Sequence, residues 1–226
     1  MASGVFGVRL GAAEAYARLL VGPGSNRGLL GPREVPRIWD RHILNCALVT
    51  DLIPESSRVC DIGSGAGLPG LVLAIRRPDL QVTLVEPLLR RTVFLDEACK
   101  ALGLLNVEVV RARAEALRGQ RAFDVVTSRA VAGLPVLLEW SLPLVEPGGV
   151  MLAMKGSTAQ AELDAALETV RSFGGDRSEV VVIERDEFPD PTTVVRVEAG
   201  PSSRIAWEQA PRTATRTTRR RVKKRR

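Results

Sequence analysis

Residues 61–70 read DIGSGAGLPG, and the run leading into them, SSRVCDI, is strand-like. Gly63, Gly65 and Gly67 stand at every second position, where each dispenses with the Cβ that would hold a ligand away from the backbone. Asp61 precedes the first glycine by two residues, and LQVTLVE ends on Glu86, 19 residues after Gly67. A carboxylate at the tip of a second strand can accept hydrogen bonds from both hydroxyls of a ribose. A strand-to-helix loop also gathers free N–H groups and a helix N-terminus. Together these groups suit a nucleoside-bearing cofactor held close to the main chain.

Two cofactor classes use such a loop. The dinucleotide fingerprint G-x-G-x-x-G, counted from Gly63, needs glycine where Leu68 stands. A frame through Gly65, Gly67 and Gly70 has the right letters but starts too far past the strand and puts Pro69 in the first helical turn. The pattern D/E-x-G-x-G-x-G of S-adenosylmethionine enzymes is met in register by Asp61, Gly63, Gly65 and Gly67. That cofactor carries a sulfonium and an ammonium and no diphosphate, which suits the acid at Asp61. The reading is an S-adenosyl-L-methionine site. An NAD-dependent oxidoreductase is the weaker rival.

The elements around the loop follow one rhythm. RVCDI, LQVTLVE, VEVVRA, FDVVTS and GVMLAMK are short Val-rich runs, and helical segments or a short AEAL turn separate them. Apolar runs of this kind form a parallel sheet covered on both faces. SEVVVIERDEF and TTVVRVEAG have no helix between them, which predicts an antiparallel hairpin at the sheet edge. GAAEAYARLL predicts a helix, VGPGSNRGLLGP a break, and residues 35–52 a second helix with Ile38, Trp39, Leu44, Ala47 and Leu48 along one stripe. The expected fold is α/β: a Rossmann-like class I methyltransferase sheet with N-terminal helices and a C-terminal hairpin. Its divisions are a helical extension (1–55), a methyltransferase domain (56–200) and a basic tail (201–226).

Composition narrows the class. Hydrophobic residues make up 45% and charged residues 26% of 226, as in an ordinary globular protein. No apolar run has the roughly 18 residues of a membrane span, so a cytoplasmic protein is expected. Cys46, Cys60 and Cys99 form no CxxC pair, and neither a zinc site nor a disulfide framework is expected. The net charge of +6 is concentrated at one end. Of 32 Lys and Arg, nine fall in residues 211–226, leaving 23 against 26 Asp and Glu in the rest. An arm so dense in arginine suits a polyanion, RNA in particular, because no apolar face accompanies the charge. Trp39, Trp140 and Trp207 are too scattered for a base-stacking platform.

DIGSGAGLPGLVLA, preceded by DRHILNC (40–46) and followed by FDVVTSRAVA (123–132) and LAMKG (152–156), resembles the RsmG (GidB) family over nearly the whole chain from about residue 14. GPREVPRIWDRHILNC is similar to the actinobacterial branch, with Asn45 where many relatives have Asp. The resemblance implies methyl transfer from S-adenosylmethionine to N7 of a guanine in 16S ribosomal RNA of the small subunit; a monomer is expected. It also implies that Gly63 and Leu68 contact the cofactor, that Glu86 holds its ribose and that Ala114 and Glu115 flank its adenine. Arg129 would complete that site, while Arg41, His42 and Lys155 would face the RNA.

Guanine N7 has an in-plane lone pair and no proton, so alignment suffices and no catalytic acid or base is nominated. TSRA lacks the Asn/Asp-Pro-Pro-aromatic element of exocyclic-amine methylation, and there is no Pro-Cys nucleophile. An oxygen acceptor would also fit these absences. Taken alone, His42 suits a satisfied helix residue, Arg41 a partner for Asp40 or Asp51, and Arg90 with Arg91 an exposed helical face. Ser157 and Gln160 suggest a capping box. The remaining rivals are a methyltransferase for a small molecule or protein, and a non-catalytic RNA-binding or ribosome-assembly factor on the same fold.

Overall fold

The computed structural model describes residues 2–186, 188 and 190–203; the basic run 211–226 and Trp207 lie outside the described residues. Five Val-rich segments form strands β1 (Arg58–Ile62), β2 (Gln81–Val85), β3 (Val107–Val110), β4 (Phe123–Arg129) and β5 (Val145–Lys155), paired in parallel. Strands β6 (Gly175–Ile183) and β7 (Thr192–Ala199) complete a seven-stranded sheet in the order β3-β2-β1-β4-β5-β7-β6. The predicted hairpin is present, but its second strand is the inner one: β7 runs antiparallel to both β5 and β6. Burial explains the order. Most β7 residues are buried, whereas β6 alternates between half-buried and exposed, so the more apolar strand takes the doubly covered place.

Period-two alternation divides the core. Along β5, Val150, Leu152 and Met154 enter one apolar cluster, and Met151 and Ala153 enter the other. The first face is covered by α1 (Ala2–Phe6), α2 (Leu10–Leu19), α3 (Asn45–Leu48), α4 (Gly70–Arg76) and α5 (Leu89–Leu102). The second is covered by α6 (Leu134–Ser141), α7 (Ala159–Ser172) and the single turn Ala114–Leu117. The N-terminal helices thus belong to the same core as the sheet.

The predicted helix over 35–52 is helical but changes register. A 3-10 turn spans Pro32–Arg37, a wide π stretch Ile38–Leu44, then α3, then a second 3-10 turn at Val49–Leu52. The wide turn buries His42, Ile43 and Leu44 in succession, and Trp39 is only half-buried. The capping box is absent: α7 begins after Thr158 with no side-chain cap, and the Thr158 hydroxyl meets the Glu162 carboxylate instead.

In the sheet order the chain moves outward from β1 to β2 and β3, then returns to β4 on the other side. Crevices for ligands form at such a switch point, beyond the C-terminal strand ends. The loops after β1, β2, β3 and β4 converge there.

Candidate cofactor and acceptor cleft

The glycine loop follows β1 with φ values of +67°, +58° and +97° at Gly63, Gly65 and Gly67. At Gly67 an added Cβ would strike Leu71, and at Gly70 it would strike Leu84 and Asp61, so the loop is packed against the sheet by close backbone approach. Tyr16 on α2, fully buried, donates its hydroxyl to the Ala66 carbonyl at 2.8 Å and pins the loop from the helical side. Asp61 lies beneath the loop. Its Oδ2 accepts the Gly70 N–H at 3.0 Å, while Oδ1 is buried with no partner among the described residues. Burial pushes this carboxyl up to about 7, against the opposing pull of the Gly70 N–H.

Glu86, 1% exposed, stands at the end of β2. Its Oε1 accepts the Leu88 N–H at 3.0 Å; its Oε2 accepts the Gly65 N–H at 3.0 Å and meets Arg91 Nη1 at 3.3 Å. The acid thereby ties the tip of the second strand to the glycine loop.

Three adjoining cavities run across the strand ends. The first, about 420 Å³, has Gly63, Glu86, Leu88, Ala114, Glu115 and Trp140 in its wall. The second, about 280 Å³, is walled by Ser64, Gly65, Ala66, Leu68, Glu34 and His42, and shares Gly63, Arg91 and Ala130 with the first. The third, about 660 Å³, holds Arg37, Arg41, Asn45 and Lys155 and shares Arg129 and Ala130 with the second. Ala130 borders all three in a left-handed conformation, φ +54°, which a non-glycine residue keeps only where its surroundings enforce it.

Arg129 ends β4 at the junction of the second and third cavities. Its Nη1 donates to Cys46 Sγ at 3.3 Å, and its Nη2 donates to the Arg41 carbonyl at 3.1 Å and to His42 Nδ1 at 2.7 Å. On its other side, His42 Nε2 lies 2.7 Å from Glu34 Oε2. A guanidinium has no acceptor, so Nδ1 must offer its lone pair and the proton must sit on Nε2. Desolvation and the Arg129 charge hold the imidazole below its ordinary range, which keeps it neutral. The hydrogen bond from His42 holds the Glu34 carboxyl low.

The cleft therefore gathers Gly63, Gly65, Leu68, Glu86, Ala114, Glu115 and Arg129 on its first two cavities, and Arg41 and Lys155 on the third. His42 faces the second cavity rather than the third. Asp61 and Gly67 shape the loop from behind and are not among the lining residues. Lys155 Nζ is held by Glu162 at 2.8 Å and by the Ala132 carbonyl at 3.0 Å. Arg41 pairs with Glu34, 3.5 Å away, rather than with Asp40 or Asp51. Among the cleft residues that sequence reasoning missed are Arg91, read as an exposed face, Glu34, in a Gly- and Pro-rich stretch without periodicity, and Ala130, whose strain has no signature in composition.

Residues 9–188 match the family model for rRNA small subunit methyltransferase G, GidB. The chain belongs to the GidB family. It is 57% identical over 199 residues to the ribosomal RNA small subunit methyltransferase G of Nocardioides sp. strain JS614, covering 88% of this chain and 80% of that one. It is 50% identical over 221 residues to the protein of that name from Streptomyces coelicolor, covering 96% and 92%. Among solved structures, an S-adenosylmethionine-dependent O-methyltransferase from Thermotoga maritima is similar with a TM-score of 0.56 and 15% identity, over 74% of this chain and 70% of that one. A precorrin-6y C5,15-methyltransferase from Geobacter metallireducens follows at 0.52 and 16%, over 76% and 91%. These two likenesses show the fold, the Rossmann-like class I methyltransferase sheet.

The GidB cleft fits S-adenosylmethionine. The first two cavities are of small-molecule size, within or just below the usual range of about 300–1,000 Å³. The shared wall of the two cavities includes Gly63 and Ala130, and an added Cβ at Gly65 would meet only the Gly63 carbonyl, at 3.8 Å, leaving room beside the loop. Glu86 offers a carboxylate at one end and Arg129 a guanidinium at the other, where the carboxylate of an amino acid moiety can pair, while Glu34 is engaged with His42 and Arg41.

Proposed function

We infer that this chain is an S-adenosylmethionine-dependent methyltransferase that methylates N7 of a guanine in 16S ribosomal RNA of the small subunit. The observation that carries the reading is the adjacency of the three cavities: cofactor-sized cavities around the glycine loop and Glu86 share Ala130 and Arg129 with a groove bordered by Arg37, Arg41 and Lys155. Glu86 would hold the ribose hydroxyls, Ala114 and Glu115 the adenine, and Gly63, Gly65, Leu68 and Arg129 the methionine end. Arg41 would face the RNA, with Lys155 set in the groove wall by Glu162.

When bound, S-adenosylmethionine supplies a methyl group on a sulfonium, which an unprotonated nitrogen can take. The protein's share is positioning. The acceptor lone pair must meet the methyl in line, and holding two reactants so is worth about 7–11 kcal/mol in favourable cases. The single imidazole is consistent with this economy, because both its nitrogens are engaged and neither is free to remove a proton from the acceptor. N7 presents none to remove.

The reading makes the enzyme a cytoplasmic monomer; among the described residues, no helix is long and apolar enough to cross a membrane. Incubation with 30S particles, with free 16S RNA and with methyl-labelled cofactor, followed by mapping of the modified base, tests the assignment. Label at guanine N7 is expected. Label on protein or on no RNA at all would overturn it.

A further inference from the structure

We propose that Glu34 is a positioning residue: acting through His42, it seats the Arg129 guanidinium where the cofactor cavity meets the acceptor groove. This rests on the methyltransferase reading above and adds to it a device in the N-terminal segment. Arg129 has five N–H donors, and three hydrogen bonds, to Cys46, the Arg41 carbonyl and His42, anchor its far side. Among the described residues its remaining two N–H groups, on Nε and Nη1, have no hydrogen bond, and Arg129 lines the junction of the two cavities. The His42 bond requires a lone pair on Nδ1, and Glu34, by accepting the Nε2 proton at 2.7 Å, selects the one tautomer that supplies it. Protonation of the ring would set an N–H against an N–H and a cation against a cation, and Arg129 would leave its seat. The charged groups facing the imidazole are Glu34 from the Pro32–Arg37 turn, Arg129 from β4 and Arg41 beside it; the first favours the imidazolium, the two arginines oppose it.

His42 is the only histidine in the chain, so its ring can be followed alone by nitrogen-15 NMR of the full protein. The expected result is the Nε2–H tautomer at neutral pH, titrating below the ordinary imidazole range. E34Q removes the one favourable charge and should move the midpoint lower still, while R129M should move it up. In methyl transfer to 30S particles, the acid limb of the pH profile should follow the NMR midpoint downward in E34Q, whose amide oxygen can still accept the Nε2 proton and keep the plateau. E34A, which cannot, should lose roughly ten- to hundredfold in turnover. An Nδ1–H tautomer, a midpoint indifferent to both E34Q and R129M, or an acid limb unmoved in E34Q would overturn the proposal. Should the wild-type protein transfer no methyl at all, the functional reading fails, yet the spectra still decide whether Glu34 and Arg129 share the imidazole.

Discussion

A carboxyl buried under a loop responds to pH in the opposite sense from one in a salt bridge. Asp61 is fully buried, with one oxygen unpartnered among the described residues, and burial pushes it up to about 7. Its folded pKa lies above the unfolded one, so the folded state binds the proton more tightly. The resulting stability is fully present below the unfolded value, near 3.9, and is lost as pH rises through about 7. Thermal melts of the cofactor-free protein between pH 4 and 8 should show D61N lacking the part of the wild-type decline that falls in this window. Parallel curves for the two proteins would mean that the acid is ionised throughout. Glu86, barely exposed, is held instead by Leu88 and Gly65 N–H groups and by Arg91. Glu86→Ala removes the proposed ribose acceptor and also the brace between strand tip and loop. Cofactor binding should weaken by about 1–3 kcal/mol in calorimetry, and unchanged affinity would place the ribose elsewhere.

At the scale of elements, the loop is held from two sides, by Asp61 below and by α2 beside it. Tyr16→Phe deletes one hydroxyl and leaves the Ala66 carbonyl without its 2.8 Å donor. Because Ala66 also walls the second cavity, both stability, by about 1 kcal/mol, and cofactor affinity should fall. A melting temperature and an affinity both equal to wild type would mean that the loop holds its shape unaided. Tyr16 marks where the sequence stops being legible. DIGSGAG and the Val-rich runs are local signals, and they suffice for the parallel sheet, the loop and Glu86. The partner of a buried hydroxyl 50 residues away is set by packing, which no spacing records. The same holds for β7 between β5 and β6: the two strands and their hairpin can be read, but their order depends on which one finds cover. Arg91 failed for a related reason. Its position in the first turn of α5 suggests solvent, and only the geometry of the turn after β2 shows that it reaches back to Glu86. Glu34, in a 3-10 turn after a Gly-rich break, gains meaning solely from a π stretch that turns His42 inward.

For the whole molecule, the question is how a body with more acids than bases approaches a polyanion. The cations at the cleft are largely spoken for: Arg37 by Asp190, Arg41 by Glu34, Lys155 by Glu162 and Arg91 by Glu86. Such pairs can orient a phosphate at close range but contribute little long-range attraction, since each is nearly neutral beyond a Debye length of about 8 Å. The unbalanced charge is in residues 211–226, nine Lys and Arg without an acid. On the proposed function a division of labour is expected, with the basic run supplying attraction and the cleft supplying register. Removing residues 211–226 should therefore lower RNA affinity most at low salt. It should also flatten the dependence of log K on log salt, by about 0.7–0.9 for each phosphate that the arm neutralises. Cofactor affinity measured without RNA should not change, because Gly63, Glu86, Ala114 and the other lining residues of the first two cavities all lie within the described residues. Binding isotherms across a salt series, for full-length and truncated chains against 16S RNA, distinguish the cases. Equal slopes would assign the attraction to the folded body, and the paired arginines of the groove would then have to exchange their carboxylate partners for phosphates as the RNA docks.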